Sequence, residues 1–293
     1  RPDVGHRRAA ARGDCRTEGC QQVTAVEPEI WYNGPLLCFD LETGGLAPDE
    51  DDIVTGTVIE VTPRPLGGGS RPTLVYEWLA VPTKAIPQQA TDVHGITTEY
   101  AREHGQPMAG VVEDITSSLA QLMLAGATLI GMNAQFDLTF LDRKCLEYGI
   151  VPLDARLPGG IRPVVDVYVI DKGIDKYRKG KRNLGALCEF YKVSLDGAHD
   201  ATADALAAGR VAWALCRDYP EEVRNIDVQA LHDRQVAWKV EQSRSFATFL
   251  RREAGKLDDP VERQKKLDDA DGIRSEWPYV PRATRKPRCA DPA

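Results

Sequence analysis

The sequence predicts an α/β fold with a mixed β-sheet. Three strand-like runs follow one another early in the chain, and a loop rich in glycine and proline separates the last two, as in an antiparallel meander. Beyond them, strand-like runs alternate with segments in which apolar residues recur at helical spacing. This order is typical of a sheet that combines antiparallel and parallel neighbours.

The predicted strands are short and apolar. Residues 36–41, 53–61, 73–81 and 127–132 have the composition of strands, with β-branched residues frequent in the second. The run 164–170 fits either a further strand or the start of a short helix. The strand pattern therefore accounts for four strands and leaves a fifth open.

The predicted helices alternate with the later strands. They cover residues 97–104, 108–124, 134–148, 183–191 and 201–217. Asn133 and Asp200 are expected to cap the third and the last of these, because short polar side chains accept the free N–H groups of a first turn.

Composition divides the chain into four predicted parts. The N-terminal segment is polar and Arg-rich, whereas charge and proline dominate near the C-terminus. The parts are a disordered segment 1–29, a main domain 30–219, a helical appendage 220–255 and a low-order charged tail 256–293.

Charge and cysteine content restrict the location and the partners. The net charge of −7 does not exclude nucleic acid, because phosphate contacts need only a local basic surface. No apolar run is long enough to cross a membrane, so no membrane partner is expected. Four cysteines lie in apolar patterns and are expected to be buried reduced thiols, which predicts a cytoplasmic protein. They are Cys38, Cys145, Cys188 and Cys216.

Two acids lie two residues apart at the end of the first strand. Side chains alternate across a strand, so Asp40 and Glu42 share one face with Cys38. Neighbouring carboxylates repel one another unless a cation or a proton intervenes, and their oxygens suit Mg²⁺ or Mn²⁺. The alternative is the solvated acidic face of an edge strand.

A third acid follows the fourth strand. Asn133 ends that strand, and Asp137 lies one helical turn later on the same face. Both residues can then project from the carboxyl edge of the sheet, where α/β folds bind ligands. The alternative is an ordinary cap followed by an acid near the positive end of a helix.

A histidine and a fourth acid lie at the start of the last helix. His199 and Asp204 are five positions apart and can converge only if His199 lies in the preceding turn. The alternative is a capped helix with a surface histidine. The four acids and the histidine fit a site for two divalent ions that hydrolyses a phosphodiester.

These motifs resemble a known family. Residues 39–44, 133–137 and 199–204, in this order, resemble the three motifs of the DnaQ-like (DEDDh) 3′–5′ exonucleases. This family includes the proofreading epsilon subunit of the bacterial DNA polymerase III, RNase T and oligoribonuclease. Residues 93–97 add a fourth match, and the resemblance covers about residues 31–218.

The resemblance implies a fold and a site. The fold would be ribonuclease H-like, with a mixed five-stranded sheet flanked by helices and followed by the helical appendage. Two divalent ions, Mg²⁺ or Mn²⁺, would be held by the four acids, with His199 as general base. Substrate contacts would come from Leu41, Thr43, Gly44, His94, Asn133 and Phe136. Gly44 departs from the family, which usually has Thr there, and Phe136 equally fits a core position.

A basic segment lies between the second and third motifs. Its cations include Lys176, Lys179, Lys181 and Arg182. Such a run is often a solvated face, but at this place it could also hold substrate phosphates. The sequence leaves these two interpretations even.

The sequence thus predicts an exonuclease with divalent metal cofactors. It would release nucleoside monophosphates from the 3′ ends of single-stranded or frayed DNA. The alternatives are an RNA-trimming exoribonuclease of the oligoribonuclease or RNase T type and a non-catalytic module associated with a polymerase. The predicted partners are single-stranded DNA or RNA 3′ ends and a DNA polymerase.

Overall fold

The protein is built on one five-stranded mixed sheet. Its structure, a computed structural model, describes residues 30–63, 71–195 and 201–282. The strands are β1 (Leu36–Thr43), β2 (Ile53–Val61), β3 (Thr73–Leu79), β4 (Thr128–Gly131) and β5 (Val164–Asp166). Their order is β3-β2-β1-β4-β5. The first three strands form the predicted antiparallel meander, while β4 and β5 run parallel to β1.

Ten α-helices accompany the sheet in the described residues. They are α1 (Gln88–His94), α2 (Thr98–His104), α3 (Met108–Leu124), α4 (Ala134–Tyr148), α5 (Leu153–Arg156), α6 (Val167–Ile174), α7 (Leu184–Tyr191), α8 (Ala201–Asp218), α9 (Val228–Ala254) and α10 (Pro260–Asp271). A short 3₁₀ turn, Trp31–Asn33, precedes the sheet, and a π turn, Pro220–Arg224, follows α8. Among these elements, β2 and α3 have the predicted bounds.

The run 164–170 contains both of the structures that its sequence allowed. It begins as β5 and continues directly as α6. The carboxylate of Asp166 accepts hydrogen bonds from the backbone N–H groups of Tyr168 and Val169, at 3.0 and 3.4 Å. Asp166 therefore ends the strand and caps the helix.

Alternation along β1 separates two cores. Phe39 and Leu41 pack with helices α3 and α4, whereas Cys38 packs with α8 on the other face. Helix α8 lies very close to the strand, because a Cβ added at Gly209 would be 2.8 Å from Cys38 Sγ. The close approach brings the first turn of α8 to the face that carries Asp40 and Glu42.

The four cysteines with apolar neighbours are free and buried, as the sequence predicts. Burial raises the pKa of Cys38 to about 12, so its thiol is neutral. Across the described ranges, no helix combines the length and apolar character that a membrane span requires.

Helix α9 covers the edge of the sheet at β5. The Gln235 side chain accepts from the Asp166 backbone N–H at 2.7 Å and donates to the Val164 carbonyl at 2.9 Å. His232 Nδ1 accepts from the Val164 N–H at 3.1 Å. These side chains satisfy polar backbone groups that an open edge would leave exposed. The segment predicted as an appendage is thus bound directly to the sheet.

The predicted low-order tail from residue 256 is wrong as far as residue 282. Helix α10 is followed by a segment, 272–282, that lies along the main domain, and we call it the strap. Trp277 is 7% exposed and belongs to the core that contains α3 and α4. The strap also pairs with α4, since Val280 N–H donates to Thr139 Oγ1 at 3.0 Å. The sequence prediction failed because charged residues dominate this region, and the few apolar residues that pack on the core did not form a recognisable pattern. The predicted disordered segment 1–29 and the end of the predicted tail, 283–293, lie outside the described residues.

Candidate active site

Three carboxylates converge where β1 meets the first turn of α8. Asp40 and Glu42 project from alternate positions of β1, and Asp204 projects from α8. One carboxylate oxygen from each of the three lies within 4.8 Å of the other two. Oxygen donors at this spacing suit a hard divalent cation such as Mg²⁺ or Mn²⁺. The donor set thus fits the predicted metal.

Asp137 approaches the same strand from helix α4. The backbone N–H of Leu41 donates to Asp137 Oδ1 at 3.1 Å, and the Asp137 side chain is buried. Asp137 is outside the tight group of three, but its charge acts on Asp40. The structure therefore brings all four predicted acids to one place, and we call Asp40, Glu42, Asp137 and Asp204 the acid cluster.

The electrostatics of the cluster favour a cation. Burial raises the pKa of Asp40 well above its ordinary value, and the negative charges of Asp137, Glu42 and Asp204 raise it further. Burial also raises the pKa of Asp137, although the Leu41 N–H opposes this shift. Among the described residues, no Lys or Arg charge is a main cause of either shift. A divalent ion would offset the repulsion among these acids.

Asp166 is a supporting residue to which the sequence analysis gave no role. Asn133 occupies the N-cap position of α4, as predicted, but with φ of 60° its side chain makes no capping hydrogen bond. Instead, Asp166 accepts from the N–H groups of Asn133 and Ala134, at 2.9 and 3.0 Å. The helix that carries Asp137 is therefore held by an acid from the neighbouring strand. The position of Asp166 at a parallel strand's carboxyl end was the available signal.

A cavity of about 420 Å³ opens beside Glu42. Its lining includes Glu42, Thr57, Glu77, Trp78, His94 and Thr202. The Thr57 and Thr202 hydroxyls lie 3.3 Å apart, and Thr202 also donates to Glu77. Hydroxyl groups and an indole ring in one cavity can contact both a sugar and a base. Only His94 and Glu42 among these residues were named from the sequence.

His94 has a free donor at the cavity. Its Nδ1 accepts from the Ile96 N–H at 3.1 Å, and burial lowers its pKa, so the ring is neutral near pH 7. The proton must then lie on Nε2. This atom is buried and has no hydrogen-bond partner among the described residues.

The remaining residues that were predicted to contact substrate differ in what they touch. Thr43 Oγ1 donates to the Gly45 carbonyl at 2.7 Å, and the Gly44 N–H donates to the Asp52 carbonyl at 2.9 Å, so both shape the turn after β1. The Leu41 side chain is buried in the core. Phe136 packs on Phe140 with ring centroids 4.8 Å apart. His199 lies outside the described residues.

The basic segment is divided between ion pairs and exposed lysines. Arg182 donates to the buried Asp171 carboxylate and to the Asp175 carbonyl, so it has a structural role within the segment. Lys176 pairs with Glu241. Lys179 and Lys181 are exposed to solvent. A phosphate contact stays a prediction for this segment, and the exposed lysines are the side chains that are free to make one.

A comparison with known protein families shows which family the chain belongs to. A profile of the family described as Exonuclease matches residues 37–212, a range that holds all four acids. The chain belongs to this exonuclease family. The match confirms the DnaQ-like 3′–5′ exonuclease family that the motifs predicted.

The relatives of this exonuclease chain include much longer proteins. It is 25% identical over 234 residues to the PolC-type DNA polymerase III of Lacticaseibacillus paracasei, covering 79% of this chain and 15% of that protein. The corresponding protein of Streptococcus sanguinis is 28% identical over 187 residues, which is 64% of this chain and 11% of the relative. The chain thus spans about a seventh or less of their length.

Solved structures confirm the ribonuclease H-like fold of the exonuclease chain. Escherichia coli exonuclease I, in complex with a dT13 oligonucleotide, superposes with a TM-score of 0.53 at 18% identity, over 64% of this chain and 42% of that one. Exonuclease I from Methylocaldum szegediense superposes with a TM-score of 0.52 at 20% identity, over 75% and 45%. At such identities, the likeness shows the fold.

Proposed function

We propose that this protein is a divalent-metal-dependent 3′–5′ exonuclease that releases nucleoside monophosphates from single-stranded or frayed DNA. The observation that carries the proposal is the group of Asp40, Glu42 and Asp204, whose oxygens lie within 4.8 Å beside a cavity of about 420 Å³. A cavity of this size holds a nucleotide-sized ligand. With divalent ions bound, the cluster would position the scissile phosphate, and the cavity would hold the terminal nucleoside.

Each residue of the proposed site would have a distinct role in the hydrolysis. Asp40, Glu42, Asp137 and Asp204 would hold two divalent ions, Mg²⁺ or Mn²⁺. When bound, such ions activate water and stabilise charge on the leaving oxygen. His199, placed shortly before Asp204 in the sequence, is the proposed general base that takes the proton of the attacking water. His94 would donate from Nε2 to a substrate oxygen.

The preference for DNA rests on the relatives. Both named curated relatives are DNA polymerases III of PolC type, and the Escherichia coli exonuclease I structure contains a dT13 oligonucleotide. These names support single-stranded DNA as the substrate and a DNA polymerase as the partner class. A cytoplasmic location stays a prediction from the sequence.

A metal-titrated nuclease assay tests the proposal. The protein is incubated with 3′-labelled DNA and RNA oligomers in chelator and in Mg²⁺ or Mn²⁺, and released mononucleotides are measured. We expect no turnover in chelator, turnover with metal and faster release from DNA. Faster release from RNA would favour the RNA-trimming alternative. Absence of turnover with every metal would leave a non-catalytic binding module.

Variants assign the roles. Asp40→Asn and Asp204→Asn should abolish turnover, and His199→Ala should lower it by roughly 10²–10⁴ while metal binding persists. Asp269→Asn on α10 removes the same charge from an exposed position and is the matched control. A His199→Ala variant within a few-fold of the unsubstituted protein at neutral pH would contradict its role as general base.

A further inference from the structure

A second group of cavities lies between the main domain and helix α9. One cavity, of about 330 Å³, begins at Asn133 and is lined by Lys172, Lys239, Phe246 and Arg274. Another, of about 290 Å³, is lined by Lys172, Phe246 and Phe249. The two cavities share Lys172, Gln242 and Phe246, so they lie side by side, and we treat them as one groove. We call it the α9 groove.

The α9 groove begins beside the acid cluster. The strands β1, β4 and β5 are parallel, so their carboxyl ends lie along the same edge of the sheet. Asp40 and Glu42 lie near this edge on β1, and Asn133 follows β4. Asn133 is also the residue immediately before α4, the helix that carries Asp137. A chain leaving the acid cluster along this edge therefore reaches the groove.

The groove has positive charge that the protein does not neutralise fully. Arg274 pairs with Glu276 and Lys176 pairs with Glu241. Neither Lys172 nor Lys239 has an ion-pair partner in the part of the chain that the structure describes, and the cavity at Asn133 has no acidic residue in its lining. Among the described residues, Lys172 contacts the Tyr168 hydroxyl, at 3.2 Å, and the face of the Tyr168 ring.

The charged form of Lys239 is disfavoured by its surroundings. Burial lowers its pKa, the charge of Asp166 opposes this shift, and the nearby charge of Lys172 lowers the pKa further. Two ammonium groups that share a cavity repel one another, and an anion between them would relieve this repulsion. A bound phosphate would supply that anion.

Aromatic rings continue the groove beyond the lysines. Phe246 and Phe249 are 47% and 44% exposed, and their ring planes are within 12° of parallel at a centroid distance of 6.3 Å. Exposed phenylalanine rings cost free energy in water, and unstacked bases are partners that cover such rings. Gln242 Oε1 is also buried there without a donor among the described residues, so it can accept from a base amino group.

The wall of the groove is fixed by close packing. A Cβ added at Gly173 would lie 2.3 Å from Trp238 Cδ2, so α9 lies directly against α6 at this point. Gln242 Nε2 donates to the Val169 carbonyl at 2.9 Å and makes a second connection between these helices. The groove is therefore preformed and would not require ordering of its walls on binding.

We propose that the α9 groove binds the single-stranded nucleic acid upstream of the cleaved nucleotide, with Lys172 and Lys239 on its phosphates and Phe246 on a base. This assignment rests on the proposed nuclease function, which supplies the strand. It gives α9 and the strap a binding role that the sequence did not indicate. The occupant is an anionic chain with planar rings, which distinguishes nucleic acid from an acidic peptide.

Binding in chelator tests the groove without hydrolysis. Anisotropy of a fluorescent oligothymidylate gives Kd over a range of salt concentrations. Lys239→Gln and Lys172→Gln should each weaken binding and reduce the slope of log Kd against log salt by about 0.7, the value for one lost single-strand phosphate contact. Phe246→Ala should raise Kd roughly tenfold without changing the slope.

Lys265→Gln is the matched control, because Lys265 is an exposed lysine of α10 outside the groove. Groove variants that bind like this control would overturn the proposal, as would displacement of the oligonucleotide by polyglutamate of equal charge. Because Lys239→Gln could disturb Asp166, Lys172→Gln and Phe246→Ala must show their effects independently.

The two proposals fail in different ways. Hydrolysis of a nitrophenyl ester of thymidine monophosphate by the unsubstituted protein depends on the acid cluster and on no upstream strand. If the oligonucleotide binds as expected but neither ester nor oligomer is hydrolysed, only the nuclease proposal fails. If both are hydrolysed but the groove variants bind like Lys265→Gln, only the groove proposal fails.

Discussion

The backbone N–H of Leu41 donates to Oδ1 of Asp137 at 3.1 Å and joins strand β1 to helix α4 inside the acid cluster. One carboxylate oxygen thus has a structural partner. The position of Asp137 is set by the same strand that carries Asp40 and Glu42.

Substitutions at Asp137 should separate its charge from its hydrogen bond. Asp137→Asn keeps an oxygen that can accept from Leu41, so the chelated protein should be at least as stable as the unsubstituted one. It should bind Mg²⁺ at least roughly tenfold more weakly, a loss typical even of residues that only support metal ligands. Asp137→Ala should also lose about 1–3 kcal/mol of unfolding free energy, because a buried N–H loses its partner.

Thermal melting with a Mg²⁺ titration measures both quantities. Asp269→Asn on the exposed face of α10 serves as the charge-matched control. Equal Mg²⁺-dependent stabilisation of Asp137→Asn and the unsubstituted protein would show that Asp137 does not contribute to metal binding.

The acid cluster should make the metal-free protein less stable as pH rises. The folded-state pKa of Asp40 is raised by burial and by neighbouring carboxylates, so the folded protein keeps a proton that the unfolded chain has lost. Stability is then lost as pH rises above about 4, where an unfolded Asp ionises, until the folded-state pKa is passed. Burial raises the pKa of Asp137 as well, which acts in the same direction.

A comparison isolates this effect from acids elsewhere. Hydrogen bonds from Arg156 and Arg274 lower the pKa values of Glu113 and Glu276 to about 2. These two acids therefore stabilise the fold as pH rises from about 2 to about 4, where an unfolded Glu ionises. In chelator, the difference in Tm between Asp40→Asn and the unsubstituted protein should therefore grow with pH. A difference that is constant from acid to neutral pH would contradict the assignment.

The strap should be required for stability. Trp277 is buried against the core, so Trp277→Ala should cost about 3–5 kcal/mol of unfolding free energy. Trp277→Phe keeps most of the apolar contact and should cost less. A chain that stops after residue 282 should melt like the full chain, whereas one that stops after residue 271 should melt at a lower temperature. Equal melting of the two truncated chains would show that the strap contributes nothing.

The basic segment should separate into structural and exposed cations. Asp171 is fully buried and binds Arg178, Arg182 and Tyr191. Arg182→Ala should destabilise the protein by about 1–3 kcal/mol, because it removes a charged partner from a buried carboxylate. Lys179→Ala combined with Lys181→Ala should change stability by less than about 0.5 kcal/mol, as is usual for exposed side chains.

Denaturant unfolding measures these changes, and the salt dependence of oligonucleotide binding then tests the lysines alone. A double lysine variant with unchanged stability and an unchanged salt slope would assign both lysines to a solvated face. A stable Arg182→Ala variant would contradict the structural role of Arg182.

The site was predictable where local periodicity determines it. Alternation placed Asp40 and Glu42 on one face, and helical spacing gave α3 its bounds. The contribution of Asp166 was not predictable, because capping a helix 32 residues earlier in the chain depends on the parallel pairing of β4 and β5. The strap was not predictable, because its sequence is mostly charged and its order depends on Trp277. The burial of Trp277 requires a core formed by distant parts of the chain, which the local sequence does not show.

The contact between Trp277 and Asp166 also has a consequence for the order of folding. Trp277 Nε1 lies 3.4 Å from Asp166 Oδ2, across 111 residues of sequence. During synthesis, the acid that caps α4 lacks this partner until the ribosome has released the chain beyond residue 277. Closing so long a loop is entropically costly and slow. The frame that supports helix α4 is therefore completed only after residue 277 has left the ribosome.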